Sequence, residues 1–308
     1  MKILIGYDGS EASTAMLDDL RLAGLPNDTE ALVIAVAEMW LVPPPSYGLA
    51  QTEFTDTFQL DVRLATETAE KAVERLKTLF PGWTISLETA IGAPAREILK
   101  KAESYHPDLI IVGSQGLSAV GRFFLGSVSQ KVATEAHTSV RIARGRVQES
   151  DEPARIVIAV DGSPESNAAI RSVANRNWNK GSEVVLLTAT GNIEPKDYKA
   201  ILGFVDSSDS KPEVKAEADQ LSSIKQVLEQ ALEAQLKANG LSVSTIIRTG
   251  DPRKVILEEA EGWGADSIFI GSRGFGKIKR LLLGSVSTAI ASRAHCSVEI
   301  VRLPEEAK

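Results

Sequence analysis

The chain is written twice. Residues 91–144 align without a gap on residues 249–302, an offset of 158 (250 − 92), with Gly92/Gly250, Pro94/Pro252, Asp108/Asp266, His137/His295 and Arg144/Arg302 as shared anchors. The amino-terminal parts align at an offset of 153 (161 − 8), where Lys-Ile-Leu-Ile-Gly-Tyr-Asp8-Gly-Ser10 matches Arg-Ile-Val-Ile-Ala-Val-Asp161-Gly-Ser163. The five extra residues therefore sit in the middle of the second half. A duplicated unit of about 150 residues is long enough to bury a core of its own, so two tandem domains are expected. We set them at 1–146 and 154–304, joined by a polar, unpatterned linker over 145–154.

Within each repeat, short apolar runs alternate with amphipathic segments. Ile3–Tyr7, Ala31–Ala37, Thr84–Ala90, Leu109–Val112 and Ser139–Ala143 read as strands; Ile156–Val160, Glu183–Ala189, Ser242–Thr249, Ser267–Ile270 and Ser297–Val301 repeat them. Helices are expected after Ser10, which caps Glu11–Ala23, then over Asp56–Leu79, from Pro94 to Tyr105, and over Ser127–Ala136. Residues 40–55, with Pro43, Pro44 and Pro45, read as a connector, and Glu213–Lys237 as a solvated amphipathic helix. Strands alternating with helices give an α/β fold: a doubly wound parallel sheet in each half. Ligands of such sheets bind at the carboxyl ends of the strands, near the switch in strand order.

The chemistry-bearing signal lies at that edge. Gly113-Ser-Gln-Gly116, nine residues, then Gly126-Ser127-Val128-Ser129 recurs as Gly271-Ser-Arg-Gly274, nine residues, then Gly284-Ser285-Val286-Ser287. Glycines let backbone N–H groups approach a ligand, and a helix N-terminus adds partial positive charge, so the pattern suits phosphate. Asp8 and Asp161 face the same crevice as ligand contacts, or cap the helix that follows. Ser127 and Ser285 are phosphate contacts or plain N-caps. Arg122 and Arg280 neutralise phosphate or are surface arginines. His137 and His295 read as loop or helix-end residues.

Other nucleotide motifs fail. Gly271-x4-Gly276-Lys277 lacks the Ser or Thr of a phosphate-binding P-loop, because Ile278 stands there, and Ser118 breaks the pattern in the first half. The dinucleotide spacing Gly-x-Gly-x-x-Gly is absent after the first strand, which disfavours NAD and FAD. No residue stands out as a general base beside a γ-phosphate. A net charge of −7 without a basic block disfavours nucleic acid and anionic membrane surfaces. No run of about 18 apolar residues suggests a membrane span. The start, Met-Lys-Ile-Leu-Ile, reads as a strand and not a signal peptide, and a single cysteine, Cys296, offers no internal disulfide; a cytoplasmic location is expected.

The glycine spacing, the opening Asp-Gly-Ser and the Gly-x-Pro start of the third helix resemble the universal stress proteins, twice over nearly the whole chain. The resemblance implies a five-stranded parallel sheet of order 3-2-1-4-5 with helices on both faces. It implies ATP as ligand, since many members with this motif bind it. Gly113, Gly116, Gly126 and Ser127 then match phosphate-cradling positions, with Val128 and Ser129 continuing into the helix; Gly271, Gly274, Gly284, Ser285, Val286 and Ser287 are their counterparts. Asp8 and Asp161 match the acidic residue beside the ribose or a metal-bridged phosphate, which leaves Mg2+ with the ATP open. Val36 and Ala189 match the strand position whose backbone meets the adenine edge. Many ATP-binding members have proline two residues before the aspartate, where this chain has Gly6 and Ala159. The family also implies pairing through the last strands, hence an internal pseudo-dimer and a possible homodimer. Two functions remain open: a nucleotide-dependent regulatory or stress-response protein, or a slow ATP hydrolase or nucleotidyl-type transferase.

Overall fold

A computed structural model describes residues 1–38, 51–116, 125–145, 152–190, 240–274 and 283–303. The chain divides into two compact units, Met1–Arg21 with Leu25–Val147, and Leu22–Gly24 with Gln148–Lys308.

The first unit runs β1 (Lys2–Gly6), α1 (Glu11–Asp19), a 3-10 turn (Leu20–Ala23), β2 (Glu30–Ala37), α2 (Gln51–Leu79), β3 (Thr84–Ile91), α3 (Pro94–Tyr105), β4 (Leu109–Gly113), α4 (Ser127–Glu135) and β5 (Ser139–Ala143). All four strand pairings are parallel and give the order β3-β2-β1-β4-β5. The second unit has β6 (Arg155–Ala159), α5 (Pro164–Ala174), β7 (Glu183–Ala189), β8 (Ser242–Arg248), α6 (Pro252–Trp263), β9 (Ser267–Gly271), α7 (Ser285–Arg293) and β10 (Ser297–Val301). Its pairings repeat the order as β8-β7-β6-β9-β10. The doubly wound parallel architecture and the 3-2-1-4-5 order are therefore those expected. The segment Glu213–Lys237 lies outside the described residues.

The central strands read as near-continuous apolar runs because helices cover both of their faces. Ile3, Leu4, Ile5, Ile110 and Ile111 are fully buried, as are Ile156, Ile268 and Phe269. In the first unit α1 packs on α2 and α3 on α4. That pairing follows from right-handed crossovers, which put the first two helices on one face and the last two on the other. A buried ion pair crosses the core: Arg141 of β5 donates to Asp19 at the end of α1, at 2.9 Å, with both side chains almost wholly withdrawn from water. In the second unit the equivalent strand position carries the opposite charge, Glu299, which pairs with Arg176.

One element starts earlier than its composition indicates. α2 begins at Gln51, where the polar stretch Gln-Thr-Glu read as connector. Among the described residues no helix is long and apolar enough to cross a membrane.

Candidate functional site

The switch in strand order falls between β1 and β4, and between β6 and β9, so the turns after these strands share one edge of each sheet. After β1 the chain turns through Gly9, whose φ of 76° a side chain rarely adopts; Gly162 does the same at 84°. This turn folds Asp8 back onto the next helix. Asp8 Oδ1 accepts the Ser10 N–H at 3.0 Å and the Ser10 hydroxyl at 2.6 Å. Ser10 Oγ in turn accepts the Ser13 N–H at 3.1 Å and caps α1, as expected. In the second half Asp161 Oδ1 accepts the Ser163 N–H at 3.0 Å, and Ser163 caps α5.

The aspartates are not themselves the caps of α1 and α5. The cap is the serine, and the aspartate supports it with one oxygen only. The other oxygen lies against the glycine loop: a Cβ on Gly116 would stand 2.7 Å from Asp8 Oδ2, and a Cβ on Gly274 would collide with Asp161 Oδ2. The carboxylate and the glycine loop therefore converge in each half.

Backbone hydrogen bonds fix both ends of the loop. Ser114 N–H donates to Ala143 O at 2.9 Å, and Gly126 N–H returns to Ser114 O at 2.8 Å; Ser272 and Gly284 repeat both bonds, each at 2.8 Å. Residues 117–124 and 275–282, which include Arg122 and Arg280, lie outside the described residues. Gly126 and Gly284, in extended conformation, are the N-caps of α4 and α7, and neither helix has a side-chain cap. Ser127 and Ser285 are consequently the first helical residues, not N-caps. Both are exposed. The first-turn amides of Ser127, Val128 and Ser129 have no intrahelical acceptor, by the geometry of any helix start. Their counterparts are Ser285, Val286 and Ser287. The side chains of Ser129 and Ser287 do something else. They are buried, and each hydroxyl donates to the carbonyl of its loop's first glycine, Gly113 or Gly271. They clamp the helix start to the end of the strand.

The glycines also divide by role. Gly116 and Gly274 lie against a flexible carboxylate. Gly271 is instead closed off by α5: a Cβ there would meet Glu165 Cβ at 2.7 Å and the Glu165 carbonyl carbon at 2.9 Å. Gly113 is looser, with Gln115 O at 3.2 Å and Ser13 Cα at 3.8 Å.

Val36 and Ala189 sit two residues beyond the last rung of their strands with β1 and β6, which end in the bonds Tyr7 N–H to Ile34 O (3.0 Å) and Val160 N–H to Leu187 O (2.9 Å). Residues of a parallel strand turn N–H and C=O alternately to the two sides. The backbone polar groups of Val36 and Ala189 hence face the side on which the neighbouring strand has stopped. Both residues are partly exposed.

Two features escaped the sequence reading. Thr68 of α2 packs over the turn, 3.0 Å from where a Cβ of Gly9 would stand. In the second half Arg273 Nε lies 3.4 Å from Glu165 Oε1. Nearby, burial and then the charge of Arg273 push the Arg302 guanidinium down to about 10. His137 is exposed before β5, and His295 Nε2 contacts Ala265 O at 3.1 Å, consistent with helix-end roles. Among the described residues no group of three or more His, Cys, Asp or Glu is placed to hold a metal ion.

Fold and edge together define a tandem pair of doubly wound α/β domains, each with an aspartate against its glycine loop and a following helix that has no side-chain cap. The model of the universal stress protein family matches residues 1–144 and again 153–302, and the chain belongs to that family. A universal stress protein from Mycolicibacterium smegmatis is 26% identical over 303 residues, covering 97% of this chain and 96% of that one. One from Mycobacterium tuberculosis is 23% identical over 313 residues, with the same coverage. The crystal structure of a universal stress protein from Archaeoglobus fulgidus superposes with a TM-score of 0.64 at 22% identity, covering 98% of each chain.

Proposed function

We propose that each half, 1–146 and 154–304, binds one adenine nucleotide, with ATP preferred, and that the protein is a cytoplasmic regulator whose conformation or partner choice follows nucleotide occupancy. One observation supports this above the rest. In both halves an aspartate oxygen lies against the second glycine of the loop, whose far end leads into a helix with no side-chain cap. The uncapped amides suit phosphate oxygens. The aspartate is suited to ribose hydroxyls or to a Mg2+ that travels with the phosphates, since Mg2+ commonly takes one carboxylate and fills its remaining positions with phosphate and water. The backbone of Val36 or Ala189 offers one donor and one acceptor to the edge of a base. Occupancy can regulate only if the nucleotide binds one conformation better than another. Equilibrium titration with ATP, NAD and FAD tests the reading. ATP should bind more tightly than either dinucleotide. Equal or tighter NAD binding, or no ATP binding at millimolar concentration, would overturn it.

A further inference from the structure

The halves differ beside the glycine loop at two positions that meet in space. Under the repeat, Arg273 corresponds to Gln115 and Glu165 to Ala12. Only the second half therefore carries an ion pair there, with Nε to Oε1 at 3.4 Å, the carboxylate 13% exposed and the guanidinium 48% exposed.

Packing fixes where that carboxylate stands. The first turn of α5 abuts the end of β9 so closely that Gly271 can carry no Cβ without striking Glu165. The α5 N-terminus favours an acid at this point. Arg273 grows from the loop itself, between Ser272 and Gly274. Its Cα lies 3.6 Å from where a Cβ of Gly284, the N-cap of α7, would stand. The guanidinium is thus rooted on the backbone that borders the helix start. Arg302 stands close enough to repel it.

Building on the nucleotide reading, we propose that Glu165 is an internal competitor for Arg273: the carboxylate holds the guanidinium that a nucleotide phosphate would recruit, so phosphate binds the second half by exchange with Glu165. Carboxylate and phosphate compete because a guanidinium offers both the same planar fork of donors. The first half has neither partner, so its site has no exchange step. Affinity in the second half is set by the difference between two charge-assisted contacts, not by the phosphate contact alone. The exchange favours a ligand with more phosphate oxygens, so ATP should depend on the pair more than AMP does.

The test uses the full chain with the first site removed by Gly116→Val, and calorimetric titration with ATP and AMP. Glu165→Ala and Arg273→Gln each install the residue of the first half; Glu165→Gln keeps the shape of the acid without its charge. Glu165→Ala and Glu165→Gln should tighten ATP binding about tenfold, the scale of one contact to a charged group. Arg273→Gln should weaken it by a similar factor, and the gain from Glu165→Ala should vanish when Arg273→Gln is also present. Changes for AMP should be smaller. ATP affinity that is unchanged or weaker in both Glu165 variants overturns the competition, as does a gain that survives Arg273→Gln. No ATP binding by the unmodified chain or by any variant overturns the nucleotide reading, and the competition with it.

Discussion

The sharpest consequence of the site geometry concerns Gly116. An alanine Cβ at this position would stand 2.7 Å from Asp8 Oδ2, well inside van der Waals contact. Asp8 is exposed, so its carboxylate can swing away and leave the sheet undisturbed. That motion breaks the bonds from Asp8 Oδ1 to the Ser10 N–H and hydroxyl. Two such bonds, each with a net contribution of about 0.5–1.5 kcal/mol, set the loss of stability at roughly 1–3 kcal/mol. For a unit of this size that lowers the apo melting temperature by about 2–4 °C per kcal/mol. Nucleotide binding in the first half should suffer more, since the methyl group and the displaced carboxylate both intrude on the ligand edge. Losing the aspartate contact and obstructing the loop together should weaken ATP by at least about a hundredfold, the equivalent of about 2.7 kcal/mol. Calorimetric titration with ATP, beside thermal melting of the apo protein, separates the two effects. Full affinity in the first half of a folded Gly116→Ala chain would refute the convergence of Asp8 and the loop on a ligand.

Three further outcomes follow from particular contacts. Gly271→Ala should cost about 1–3 kcal/mol of stability by chemical denaturation, because its Cβ meets the Cβ and carbonyl carbon of Glu165, which move only with the α5 backbone; a neutral result would contradict the packing of α5 on β9. Asp19→Ala should cost about 3–5 kcal/mol, because it removes the carboxylate that pairs with the buried Arg141 guanidinium, and a loss under about 1 kcal/mol would show that the pair contributes little. His106 ends α3 in the left-handed region at φ 51°, where Gly264 ends α6 at φ 69°. His106→Gly should therefore stabilise the first half by about 0.5–1 kcal/mol, measured by the same denaturation, and a destabilised variant would contradict the strain argument.

The central strands were legible as short apolar runs, such as Ile3–Tyr7, which is closed by the turn signal Asp8-Gly9-Ser10. Strand order was not readable from spacing; it came through the family resemblance. The capping of α1 by Ser10 was legible, because a serine before a helical pattern has few other uses. The start of α4 at Ser127 was legible, but the reading of Ser127 as its N-cap failed for a conformational reason. Gly126 adopts the extended N-cap geometry, which pushes Ser127 into the first turn. The clamp from Ser129 to Gly113 joins residues on either side of the loop, and nothing in the local pattern reports it. Glu165 and Arg273 lie more than a hundred residues apart, and their pairing follows only from the seating of α5 on β9. The glycine spacing marked the candidate site but could not show that Gly116 faces a carboxylate while Gly271 faces a helix.

The central claim, one adenine nucleotide site per half, is tested most directly by native mass spectrometry of the full chain titrated with ATP. Two successive adducts should appear, with unequal affinities, because Val36 and Ala189 differ at the proposed base edge and only the second half carries the Glu165–Arg273 pair. Gly116→Ala should remove one adduct and leave the other. No adduct at millimolar ATP, or two adducts that persist unchanged in the Gly116→Ala chain, would contradict the account.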